Sequence, residues 1–247
     1  MQRSERRQDY PDHYFTLGPF HSLFASGFPI LSYHKIGHAP LAARRKGMFV
    51  TSNLLARQLG ELKNANYQFE SIEHPVGNRK VVISFDDGYV SCFREAMPVL
   101  DEMRCRAIQY LPVARLGKTN DWDPRQEPIM DKSQVREWLA AGHTIGSHSL
   151  THPNLTRLDS QQAQKEIAES KIWLEDTFAI PIRHFAYPYG AWNERIAQLV
   201  GEAGYTTAVT TEFGVNDHRT NQYRFRRISA YGSLREVFFG LIKRLRR

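Results

Sequence analysis

Short apolar, β-branched runs alternate with helix-spaced segments along most of this chain, and that rhythm restricts the folds open to it. The densest run is Val81 to Phe85, bounded by Asp and Gly. Ile30 to Lys35, Ala107 to Val113, His143 to Ser147, His184 to Tyr187, Thr206 to Thr211 and Arg227 to Tyr231 are further strand candidates. Helix signals fall between them. Thr51 or Ser52 caps a segment reaching Asn64, and another runs from Ser91 to Met103. Asp131 to Gln134 has capping-box spacing, with Gly142 as the stop. After Asp159, the residues Ala163, Ile167, Leu174 and Phe178 recur at helical spacing. A further helix runs from Asn193 to Ala203, before Gly204. Such a β-then-α order predicts an α/β chain with a parallel sheet or barrel and helices outside. About seven strands suit a distorted (β/α) barrel better than an open sheet. The 247 residues fit one such domain, expected over 29–247 behind an N-terminal extension at 1–28.

Composition narrows the function classes. Hydrophobic residues at 41% and charged residues at 24% are those of a globular chain. The net charge of +7 is compatible with anionic partners, but the basic residues are scattered and form no nucleic-acid motif, so no nucleic-acid partner is expected. Cys92 and Cys105 form no CxxC pair and are too few for a disulfide framework. The region from Phe15 to Phe28 is broken by polar residues and glycines, unlike a signal peptide. No window is long and apolar enough for a membrane span. A cytoplasmic protein is the expectation.

Three polar clusters fall at predicted strand ends, where parallel α/β folds place their chemistry. The first is Ser84-Phe85-Asp86-Asp87-Gly88. Two adjacent carboxylates there are costly unless a cation neutralises them; the other reading is an Asp pair capping the next helix. The second is His148-Ser-Leu-Thr-His152, two histidines four apart, which on a helical turn share one face in a metal-chelating spacing. Two solvated loop histidines would look the same. The third is Phe185-Ala-Tyr-Pro-Tyr-Gly190, a tight turn whose aromatics either wall a sugar site or pack in the core. Asp87, His148 and His152 together offer two nitrogens and one oxygen. Three protein ligands with a position open to water fit a catalytic zinc site. Asp86 is then free to act as general base.

In this order the three segments resemble the polysaccharide deacetylases of carbohydrate esterase family 4, including chitooligosaccharide and poly-N-acetylglucosamine deacetylases. The resemblance runs from about Pro29 to Tyr231. It implies a distorted (β/α) barrel and a divalent metal, usually zinc, on Asp87, His148 and His152. It also implies Asp86 as base and the Tyr189 backbone N–H as an oxyanion donor. Tyr187, Pro188, Tyr189 and Trp192 are the candidate substrate contacts. Many members carry an arginine two residues before the motif-three proline to steady the base; here that position is Ala186, and Arg227, or its neighbour Arg226, is the candidate substitute. The usual late histidine that supplies the general acid is also missing. The segment Leu31-Ser-Tyr-His34-Lys-Ile36 resembles the circularly permuted members, which implies His34 in that role.

The expected activity is a metal-dependent removal of an N-acetyl group from an amino sugar in a polysaccharide, oligosaccharide or lipid-linked glycan. The same motifs would serve another amide hydrolase, of deformylase or cyclic-imide type, and a non-catalytic glycan-binding module would retain the fold. Cobalt, nickel or iron would suit the same ligands. Leu234, Val237, Phe238, Leu241, Ile242 and Leu245 form a C-terminal apolar stripe beside Arg and Lys. It reads as a barrel-packing helix, or as an amphipathic end touching anionic membrane.

Overall fold

In the computed structural model, residues 24–41, 43, 48–73 and 79–230 are described. The C-terminal stripe therefore lies outside the described residues. The elements run β1 (Ile30–Tyr33), β2 (Lys35–Ile36), β3 (Phe49–Val50), α1 (Ser52–Asn64), β4 (Gln68–Phe69), β5 (Lys80–Phe85), α2 (Met97–Glu102), β6 (Ala107–Leu111), α3 (Lys132–Ala140), β7 (Thr144–Ser147), α4 (Ser160–Phe178), β8 (His184–Ala186), α5 (Glu194–Glu202), β9 (Thr207–Val209) and β10 (Ile228–Ser229). Neighbouring strands follow the order β10-β1-β5-β6-β7-β8-β9, all parallel, and β4 joins the start of β5. The chain just before β10 also hydrogen-bonds to β9 and to the segment after it: Phe225 N–H donates to Ala208 O at 2.9 Å, and Arg227 N–H to Glu212 O at 2.7 Å. One stretch, 225–229, thus touches both ends of the curled sheet.

Alternation along each strand explains the two apolar layers. Leu31, Tyr33, Ile83 and Phe85 belong to the larger cluster that meets the helices; Tyr33 stacks on Phe85 at 5.3 Å, and Phe85 meets Trp138 edge-on at 6.0 Å. Ile30, Val82, Ile108, Tyr110, Ala186 and Val209 form the second cluster, on the other face of the same strands. Burial on both faces accounts for the near-continuous hydrophobic run of β5. Gly146 is required inside β7, because a Cβ there would meet the Tyr110 ring at 2.7 Å.

The capping signals locate the helices. Thr51, Asp131, Asp159 and Asn193 each accept a backbone N–H from the first turn, and Asp131 with Gln134 completes the capping box. The helix expected over Ser91 to Met103 differs in its first half. Cys92–Ala96 is a π-turn, with Met97 N–H donating to Cys92 O, and α2 follows with Pro98 in its first turn. Proline has no N–H to give, so the hydrogen-bond ladder slips by one residue ahead of it. The expected Ile30–Lys35 strand breaks at His34, and its continuation pairs with β3 as a separate ribbon. Among the described residues no helix is long and apolar enough to cross a membrane. Both cysteines are free and buried.

Candidate metal and catalytic site

The site is built at the C-terminal ends of β1, β5, β7 and β8. Asp86 continues the alternation of Val82 and Ser84, so its carboxylate faces the same side as the inner cluster. The backbone then leaves the strand abruptly: Asp87 has φ 69° and Gly88 φ 68°. Only glycine adopts this region without strain. At Gly88 a Cβ would also meet Leu111 Cδ2 at 2.9 Å. The turn therefore begins one residue earlier than the glycine alone suggests, and Asp87 holds a conformation that most residues avoid. That reversal swings the second carboxylate towards β7.

Asp86 is 2% exposed and Arg227 1%. The guanidinium gives Nη1 to Asp86 Oδ1 and Nη2 to Asp86 Oδ2, both at 2.7 Å, and Nε to Thr210 O at 2.8 Å. This two-pronged geometry is the one arginine provides and lysine does not. Burial pushes the Asp86 pKa up, but the Arg227 charge and hydrogen bonds, helped by His34, hold it below the usual carboxylate range. His34 Nε2 lies 3.6 Å from Asp86 Oδ2, with 24% of its side chain exposed. Burial lowers the His34 pKa, while Asp86 and Asp87 pull it the other way.

Asp87 faces two imidazoles. Its Oδ1 is 3.4 Å from His148 Nε2 and 3.3 Å from His152 Nε2, and one donor atom from each of the three residues lies within 4.8 Å of the others. His148 Nδ1 donates to Ala186 O at 2.7 Å, which leaves its Nε2 lone pair aimed at the cluster. Burial raises the Asp87 pKa, yet the close imidazoles of His148 and His152 hold it well below its ordinary value. Two neutral-capable nitrogens and one carboxylate, all buried, fit a divalent cation of zinc type. The segment joining the histidines is not a helical turn, as their spacing suggests. Ser149 and His152 have φ of 66° and 68°, and Ser149 Oγ accepts the His152 N–H. A tight loop, held by the serine, brings the rings together instead.

The third cluster separates into parts. Pro188 is buried, and Tyr189 sits at φ 61° with half its surface exposed and its ring 4.7 Å from that of His152. Tyr187, expected as a substrate contact, is fully buried; its hydroxyl donates to Tyr223 O at 2.8 Å and its ring packs on Phe185. Its side chain belongs to the core because it continues the outward alternation of β8. Trp192 is half-buried, with its indole N–H given to Glu212 at 3.0 Å and the Arg224 guanidinium over its ring. Trp122 was not foreseen: it stacks on His152 at 4.0 Å and 28°. It lies in an irregular segment between β6 and α3, where neither periodicity nor ligand spacing marks it.

The polysaccharide deacetylase family matches residues 73–208. The Bacillus subtilis (strain 168) protein YxkH is 27% identical over 216 residues, covering 86% of this chain and 74% of that protein. The poly-beta-1,6-N-acetyl-D-glucosamine N-deacetylase of Staphylococcus epidermidis is 29% identical over 159 residues, 61% of this chain, and this match spans only 54% of that relative's length. Among solved structures, the Streptococcus pyogenes deacetylase PplD in complex with acetate superposes with a TM-score of 0.73 at 22% identity, over 84% of this chain and 94% of that one. This last likeness concerns the fold. The family match runs through both carboxylates, both candidate ligand histidines and the Pro188 turn: this chain belongs to the polysaccharide deacetylase family.

Proposed function

We propose that the protein is a metal-dependent hydrolase that removes an N-acetyl group from an amino sugar of a glycan. The observation that carries this reading is the division of labour between neighbours. Asp87 is committed to His148 and His152, while Asp86, held by Arg227, is left for proton transfer. A divalent cation, zinc by its donor set, supplies polarisation of an acyl oxygen and acidification of a water when bound.

The chain's own groups do the rest. Asp86 takes a proton from the attacking water, and its low pKa keeps it ionised to do so. Arg227 fixes the direction of that carboxylate. The Tyr189 backbone N–H donates to the oxygen that gains charge as the carbonyl carbon becomes tetrahedral. His34 Nε2 returns a proton to the amine as the C–N bond breaks, so water and amide become acetate and a free amino sugar. Imidazole gives up a proton more readily than lysine or arginine, and against the effect of burial the neighbouring Asp86 and Asp87 charges favour its protonated form.

The test is acetate release from N-acetylglucosamine oligomers and lipid-linked acetylaminosugars, with zinc present or chelated. Release that stops on chelation and with Asp86→Asn is expected. Release that persists through chelation would overturn the metal role; no release from any acetylated sugar would overturn the substrate class.

A further inference from the structure

The two candidate ligand histidines are oriented by different means. His148 is fixed by its Nδ1 hydrogen bond to Ala186 O. Metal-bound histidines commonly have such a partner, which sets both tautomer and ring plane. His152 Nδ1 is closed off from solvent and has no hydrogen-bond partner among the described residues. Its ring lies instead between two aromatic rings, Trp122 at 4.0 Å and Tyr189 at 4.7 Å. Trp122 is the nearly parallel one, at 28°.

Trp122 is itself held firmly. Its neighbour Asp123 pairs with Lys35 Nζ at 2.9 Å, with side-chain exposures of only 19% and 7%. The same ammonium lies 4.7 Å from the Tyr89 ring centroid and 5.2 Å from that of Phe49. Asp121, on the other side, pairs with Arg115. A mostly buried ion pair is a poor source of net stability, because desolvation offsets the attraction. It does fix position, since a displaced partner leaves a charge unpaired. Here the fixed position is that of the tryptophan between the two aspartates.

We propose that Trp122, clamped by the Lys35–Asp123 pair, is a positioning residue that sets the plane of the His152 imidazole for a divalent cation. It does by stacking what the Ala186 carbonyl does for His148 by hydrogen bonding. The inference rests on the reading that Asp87, His148 and His152 hold a cation. Lys35 directly follows His34, so the clamp ties the ligand side of the site to the strand segment bearing the acid.

The experiment titrates cobalt(II) into the metal-free full chain, reading affinity and the visible spectrum, with circular dichroism as the check on folding. Trp122→Leu keeps an apolar side chain without the flat ring and is expected to weaken binding about 10–100-fold, the usual cost of losing an outer partner. Trp122→Phe keeps a ring and should restore affinity and spectrum close to wild type. Lys35→Met should weaken binding too, but add nothing in a Trp122→Leu background, because both act through one contact. Wild-type affinity in folded Trp122→Leu would overturn the role of Trp122, and additive losses would overturn the clamp. If the wild-type chain binds neither cobalt nor zinc, the metal reading itself fails.

Discussion

Asp86 and Asp87 are adjacent, both buried and both ionised, yet they are neutralised in opposite ways. Asp86 faces a guanidinium that keeps its charge at every relevant pH. Asp87 faces two imidazoles, which carry no permanent charge and could share a cation with it. A permanent counter-charge leaves the first carboxylate oriented whether or not a metal is bound. An exchangeable one makes the second half of the site a receptor. One strand end thus supplies the proposed base and a candidate ligand, and the left-handed backbone at Asp87 separates them.

Four measurements would break or sharpen this division. Asp86→Asn should lower turnover by about 10²–10⁴-fold, the usual range for a general base, while cation affinity stays near wild type. A collapse of affinity in that variant would mean the two carboxylates act as one unit. His148→Ala should do the reverse, weakening zinc or cobalt binding by more than the roughly 10–100-fold that loss of an outer partner costs. Arg227→Met leaves Asp86 buried without its partner and should destabilise the chain by about 3–5 kcal/mol in denaturant unfolding with chelator present. A stability equal to wild type would show that Asp86 stays hydrated. The smallest effect is expected of Arg227→Lys in the pH profile of kcat/KM. A point charge holds Asp86 less well than two parallel bonds, so its pKa should rise from its depressed value. The base works only when ionised, so activity is lost as pH falls through that pKa, and the acid limb should move to higher pH. An unmoved limb would remove Arg227 from the control of Asp86.

Much of the barrel was legible because each strand carries its own signal. Val81 to Phe85 is apolar on both faces, and Asp131, Asp159 and Asn193 mark helix starts through caps that act within one turn. The π-turn at Cys92–Ala96 follows from Pro98 only once the helix register is known. The two-residue strands β3 and β4 are too short to show a period. At the site, Asp86, Asp87, His148 and His152 stood out because carboxylates and imidazoles at strand ends need a reason to be buried. Arg227 could be nominated from its position on a late strand, but its contact with Asp86 depends on how the sheet curls. The reading failed at Tyr187, whose aromatic character fits a sugar wall and a core equally well. Trp122 was missed because its stacking on His152, like the pairing of its neighbour Asp123 with Lys35, joins residues far apart in sequence.

The stretch 225–229 hydrogen-bonds to β9, pairs with β1 and carries the guanidinium that orients Asp86. Its effect extends to the time course of folding. Arg227 and Asp86 are 141 positions apart, and closing so long a loop carries an entropy cost that slows folding. A carboxylate without its counter-charge favours its water, so the burial of Asp86 depends on the docking of this stretch. A chain still emerging from the ribosome, with residue 227 not yet made, therefore has His148 and His152 but not the guanidinium that orients Asp86. On the proposed mechanism, the docking of this one stretch would complete the site.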